Sequence, residues 1–216
     1  MKKTTMFVFT LTLLSAVLCA QEPKSIKWNG EGNRFVGPTQ PVPDSVQLIF
    51  SNLGPSTNAF TNSGWTLSAP LSAFGFTQFV AMAFTPTANA HVHQVRVAAQ
   101  YLQSGANQVN LSLYSDTGGA PGTLLAGPIT VTNLPDFYTC CALAIATFST
   151  GTAVTAGTQY WVVANSPSTG TGSDFEGAWA FVPPSTQLFG IDQGSGWTGY
   201  EATLEEPAGA VIGTIP

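Results

Sequence analysis

NQVNLSLYSDTGGAPGTLLAGPITVTNL, residues 107–134, decides the fold class. Its first part alternates: Val109, Leu111 and Leu113 fall on one face, Asn110, Ser112 and Tyr114 on the other. A period of two marks a half-buried strand, because successive side chains point to opposite faces of a sheet. TGGAPG (117–122) reads as a turn or loop, since glycine supplies positive φ and proline presets its own. LLAGPITVTNL (124–134) then reads as a second strand. The same grammar extends upstream, to SVQLIFS (45–51), FTQFVAMAFTP (76–86) and HVHQVRVAAQYL (91–102). In the last of these Val95, Val97, Ala99 and Tyr101 share one face and Gln94, Arg96 and Gln100 the other. Downstream it covers CALAIATFS (141–149), QYWVVANS (159–166), GAWAFVP (177–183), TQLFGI (186–191) and AGAVIGT (208–214). No segment couples a helix cap to an apolar 3.6 period, and no internal repeat is visible. Many short strands without β-α-β alternation predict an all-β chain, a single antiparallel β-sandwich of jelly-roll type.

The ends set the organisation. MKKTTMFVFTLTLLSAVLCA (1–20) has two lysines, an apolar run from Met6 to Leu18, and a cleavage site at Leu18-Cys19-Ala20. This is the pattern of a secretory signal peptide, and it is too short to cross a bilayer. Lipidation at Cys19 is disfavoured, because Leu18 stands where a small residue is wanted. Residues 21–44 are rich in proline, glycine and polar residues and read as an irregular arm or linker. Residues 45–216 are the sandwich domain. No later stretch is long and apolar enough for a membrane span, so the product is expected to be secreted, extracellular or at the cell surface.

Charge excludes some partners. Lys2 and Lys3 leave with the leader, so four cations (Lys24, Lys27, Arg34, Arg96) face eleven Asp and Glu, a balance of −7. Nucleic acid and anionic membrane surfaces both require basic patches, which this chain lacks. Charged residues are 8% of the chain, well below the usual quarter. Such neutral polarity suits exposed sheet faces better than exposed helix faces, which carry Glu, Lys and Arg.

SLYSDTGGAPGTLLA (112–126), followed by VTAGTQYWVVANS (154–166), resembles a family of exported bacterial β-sandwich proteins. Their shared theme is an LYSD-GG-PG--L turn, then a strand ending in AGT-YWVV. FTPTANAHVHQVRVA (84–98) and GAVIGT (209–214) fit the same theme, so the similarity spans roughly residues 75–214. The resemblance implies a secreted or surface module with an adjacent cysteine pair between the two motifs. It implies no particular activity.

Cys140 and Cys141 are that pair, and with Cys19 removed they are the remaining cysteines. Export places them in an oxidising setting. Three states stay open: a disulfide between neighbours, two thiols, or a link to another chain. A vicinal bridge needs the backbone to leave strand geometry, because adjacent strand residues point to opposite faces. Pro135 and Asp136 just upstream permit such a turn. A rigid turn is the favoured role, ahead of a redox switch or a flat ligand platform. Zinc is disfavoured, since adjacent cysteines chelate poorly.

His91 and His93 share a strand face, the one that also carries Val95 and Val97, and they lack a third ligand nearby. No metal or cofactor is therefore expected, apart from a structural calcium considered at Asp116 in the YSDTGG turn. There is no G-x-S-x-G elbow, and Asp174, Glu176, Asp192 and Glu201 read as loop acids rather than a catalytic pair. The aromatic residues of the last third are the best clue. Sugar rings present flat C–H faces that stack on aromatic faces. Trp197, Tyr200 and Trp179 are the candidate stacking residues, with Asp174 and Asp192 as hydroxyl acceptors, whereas Trp161 reads as core. The expectation is a non-catalytic binding or adhesion module for extracellular polysaccharide. The alternative is a self-assembling subunit of a surface layer or fibre, whose partner is another copy and whose arm (21–44) donates a strand. A hydrolase is the least favoured reading.

Overall fold

The computed structural model describes residues 22–26, 34–38, 45–54, 57–137, 139–168, 174–182, 187–200 and 205–216. The leader with Cys19, much of the arm, and Glu201 lie outside them. In chain order the strands are β1 (Ser25–Ile26), β2 (Arg34–Pro38), β3 (Gln47–Ser51), β4 (Thr57–Thr61), β5 (Gly64–Ser68) and β6 (Phe79–Phe84). They continue with β7 (Ala90–Val97), β8 (Ala99–Ser104), β9 (Gln108–Asp116), β10 (Pro121–Thr132), β11 (Ala144–Val154) and β12 (Tyr160–Asn165). The last are β13 (Glu176–Val182), β14 (Phe189–Asp192), β15 (Trp197–Tyr200), β16 (Glu206–Pro207) and β17 (Gly209–Thr214). No helix occurs among the described residues, and none there is long and apolar enough to cross a membrane.

The protein is an all-β antiparallel sandwich. One layer is a six-stranded sheet in the order β10-β9-β12-β6-β14-β15. The facing layer is a four-stranded sheet, β11-β7-β17-β3. Between them lies the core, and the period-two pattern decides its membership. On β6, Val80, Met82 and Phe84 point in. On β9, Val109, Leu111 and Leu113 do so, and on β12, Tyr160, Val162 and Ala164. The alternate residues Ala81, Ala83, Trp161 and Val163 form a second, smaller cluster on the outer face.

A third sheet closes one side of the sandwich: β1-β5-β13-β16, with β8 also on β13. It joins the four-stranded sheet at three buried alanines. Ala98 N donates to Ala208 O (3.0 Å), Ala208 N to Ala180 O (2.8 Å) and Ala180 N to Ala98 O (2.9 Å). This ring of bonds satisfies the backbone where β7 passes into β8 and β16 into β17, so neither break leaves a buried polar group unpaired. All three alanines are fully buried where the three segments converge.

Two expectations change. The arm is not wholly irregular: β1 pairs with β5, and β2 pairs with β4. The face of His91 and His93 is not that of Val95 and Val97. Against β17, Gln94 opposes Ile212 while Val92 opposes Gly213, so His93 is an extra residue at a bulge. A bulge reverses the parity of a strand. Val92, Val95 and Val97 are therefore all buried, while His91 is exposed and His93 half-buried.

Candidate functional site

The outer face of the six-stranded sheet gathers aromatic and amide side chains around the β14–β15 hairpin. Asp192 and Trp197 are cross-strand partners at the turn end of that hairpin. Asp192 Oδ1 accepts from Gly194 N (2.7 Å) and Gly196 N (3.0 Å), so this carboxylate organises the tip. Both glycines have positive φ, 90° and 105°, which fits the QGSG turn to residues without a Cβ. Trp197 then lies back over Gly190, where a Cβ would stand 3.4 Å from its Cε3. It packs, half-buried, on the cluster of Ala81, Ala83, Trp161 and Val163, with Tyr114 and Leu188 beside it.

Asp116 fixes the floor of this surface. Its Oδ1 accepts from Trp161 Nε1 (2.8 Å) and Gln159 Nε2 (2.6 Å), and its Oδ2 accepts from Gly119 N (3.3 Å). Asp116 is thus the anchor that lets a fully buried tryptophan keep its N–H bonded, and it pins the turn that follows β9. That turn in turn meets the hairpin, where Gly199 lies directly against Gly119 O. Among the described residues no three His, Cys, Asp or Glu side chains are grouped to hold a metal ion. Next to the cluster is a cleft of about 240 Å³ lined by Ala83, Phe84, Thr85, Gln159, Gln187 and Leu188. Ala83 and Leu188 belong both to this cleft and to the surface under Trp197.

The residues singled out by sequence do not all meet here. Trp179 is 0% exposed and donates Nε1–H to Ala208 O at 2.7 Å, so it is core and presents no face to a sugar. The cause is its strand: β13 has neighbours on both edges, and all seven of its residues are buried. Asp174 is also 0% exposed, and its Oδ2 accepts from Leu71 N at 3.0 Å. Tyr200 faces inward from β15 and stacks on Phe189, with ring centroids 5.2 Å apart and planes at 15°. Burial pushes its phenol above the ordinary value of 10.0. Trp197 and Asp192 remain together; Trp179, Asp174 and Tyr200 lie elsewhere. Sequence reasoning missed Gln159, Gln187 and Leu188, and it left Tyr114 as a generic polar-face residue. The parity of β9, with Tyr114 opposite Leu113, was the available signal.

Cys140 and Cys141 form a disulfide across a cis peptide, their Cα atoms 3.1 Å apart. The pair precedes β11, as the turn reading expects. It sits against the arm. A Cβ on Gly37 of β2 would stand 2.7 Å from Cys141 Cβ and 2.8 Å from its Sγ. Asn58 Nδ2, from β4, donates to Cys141 O at 3.2 Å. The disulfide therefore packs against the two-stranded β2–β4 sheet.

Comparison with protein-family models gave no match, and comparison with curated proteins gave no significant relative.

Proposed function

We propose that the chain is an exported, non-catalytic binding module that takes extracellular polysaccharide on the outer face of its six-stranded sheet. The resemblance of the LYSD-GG-PG turn and the AGT-YWVV strand to exported bacterial proteins supports the extracellular or cell-surface setting, and it says nothing of the ligand. One observation carries the reading: Trp197 is a half-exposed indole packed on the Trp161 cluster, beside a cleft lined in part by Gln159 and Gln187. An aromatic plane supplies stacking, and adjacent amides supply hydroxyl partners, the mixed lining usual in ligand sites. A hydrolase is disfavoured because Asp174 and Glu176 are buried and bonded to backbone N–H groups, while Asp192 caps its own hairpin. Self-assembly through the arm is disfavoured because β1 and β2 already pair within the chain.

The test is retention of the exported chain on insoluble cellulose, chitin, xylan and β-1,3-glucan. Retention on at least one polymer is expected, with loss on Trp197→Ala while the circular dichroism spectrum is unchanged. Absence of retention on all four overturns the reading.

A further inference from the structure

We propose that the binding surface runs from Trp197 across the hairpin tip to a second aromatic station on the loop between β5 and β6, so that an extended run of sugars is held rather than one ring. This rests on the polysaccharide reading above. The loop displays side chains that folded chains usually bury: Leu71 is 44% exposed and Phe74 36%. Phe74 and Phe76 are nearly parallel, at 12°, with centroids 5.6 Å apart. Lys24 Nζ stands 4.0 Å over the Phe76 ring.

The loop is held rigid from beneath. Asp174 accepts from Leu71 N (3.0 Å) and Glu176 Oε1 from Phe74 N (3.2 Å). Ser68 Oγ donates to Phe76 O at 2.6 Å. Two buried carboxylates thus fix the backbone leading into Phe74, and Ser68 fixes it at Phe76. A loop ordered in advance loses little entropy on binding, which is how a shallow surface gains affinity.

The hairpin tip reaches this loop. Gln193, next to Asp192, donates Nε2–H to Glu22 O (3.1 Å) and to Gln78 Oε1 (3.2 Å). Gln78 also holds Lys24, accepting from its N at 2.8 Å and donating to its O at 2.7 Å. A Cβ on Gly194 would stand 4.0 Å from Thr77 Cβ. The hairpin that carries Trp197 therefore ends against the loop that carries Phe74 and Phe76. Flat rings beside amide and backbone polar groups match a glycan. An anionic bilayer would meet the chain's net negative charge.

The experiment compares wild type, Trp197→Ala and the double variant Phe74→Ala/Phe76→Ala on cellulose, chitin, xylan and β-1,3-glucan, with cellobiose, cellohexaose, chitobiose and chitohexaose as competitors. The double variant is expected to bind the retained polymer about tenfold more weakly, equivalent to about 1.4 kcal/mol, and to lose the advantage of hexasaccharide over disaccharide. Phe74→Tyr should keep both, which separates a lost ring from a lost fold. Retention equal to wild type in the double variant, with Trp197→Ala still impaired, overturns the second station and leaves the polysaccharide reading intact. No retention by wild type overturns both. Co-sedimentation of wild type with phosphatidylcholine vesicles through Phe74, without polymer retention, assigns the loop to a lipid surface and overturns the proposal.

Discussion

Trp197 and Tyr200 stand three residues apart on β15 and so face opposite sides of the six-stranded sheet. Trp197 lies on the outer cluster around Trp161, and Tyr200 stacks on Phe189 in the core. Phe189 stacks in turn on Trp65, at 4.8 Å and 18°, so Tyr200 ends a column of three rings. The two residues should therefore separate experimentally. Trp197→Ala is expected to weaken polymer retention with little change in melting temperature. Tyr200→Ala should cost about 1–2 kcal/mol, from half-burial and one aromatic pair, while retention at low temperature persists. Thermal melts and polymer retention on the same samples check both; equal effects of the two substitutions would contradict the assignment of faces.

The same burial makes Tyr200 a pH reporter. Its phenol is held above the ordinary 10.0 because desolvation disfavours the phenolate. The folded state thus prefers the neutral form. Its stabilising contribution is complete below the unfolded value and is lost as pH rises through the folded one. Absorbance titration near 295 nm should show a component that ionises above the ordinary phenol value, and that component should vanish in Tyr200→Phe.

Much of the fold was legible because the sandwich strands obey period two. Val109, Leu111 and Leu113 point inward as the alternation requires. Where both faces of a strand are covered, the signal fails. GWTLS (β5) is buried at all five positions and shows no alternation, so it went unread. β13 is covered in the same way, which is why Trp179 looked available for a ligand. The His93 bulge is also invisible in a strand pattern, because one inserted residue reverses parity without changing composition. Of the candidate site, Trp197 and Asp192 could be found from a glycine-rich hairpin. Gln159 and Leu188 could not, since their approach depends on which strands neighbour β6.

Trp179 shows the energetic consequence of that burial. Its indole fills the core, and its N–H shares the Ala208 carbonyl with Ala98 N. Trp179→Ala should destabilise by about 3–5 kcal/mol, the usual range for emptying a large core site. Trp179→Phe should cost less, because it loses the indole donor and part of the ring but leaves Ala208 O bonded to Ala98. Denaturant unfolding of the two variants checks the order.

Gly37 should tolerate no side chain. An added Cβ would meet Cys141 at 2.7 Å, closer than carbon atoms pack, and the disulfide ring cannot swing aside as a long side chain would. Gly37→Ala should cost about 1–3 kcal/mol, as overpacking does, and should speed proteolytic cleavage of the arm. Gly118, with nothing within 4 Å of its added Cβ, is the control: its φ of 64° is strained for alanine, but no neighbour is displaced, so the arm should stay protected.

Asp116 links stability to the binding surface. Removing its carboxylate leaves the Trp161 indole N–H buried without its acceptor and frees both Gln159 and the Gly119 turn. An unmet buried donor costs about 1–3 kcal/mol, so Asp116→Ala should lower the melting temperature clearly. Asp116→Asn keeps an acceptor oxygen for one donor and should lose less. Because Gly119 meets Gly199 under the hairpin, both variants should also loosen Trp197. Polymer retention measured well below each variant's melting temperature should then fall in the order wild type, Asn, Ala. Retention unchanged in Asp116→Ala, with stability reduced, would show that the Trp197 surface does not depend on the turn beneath it.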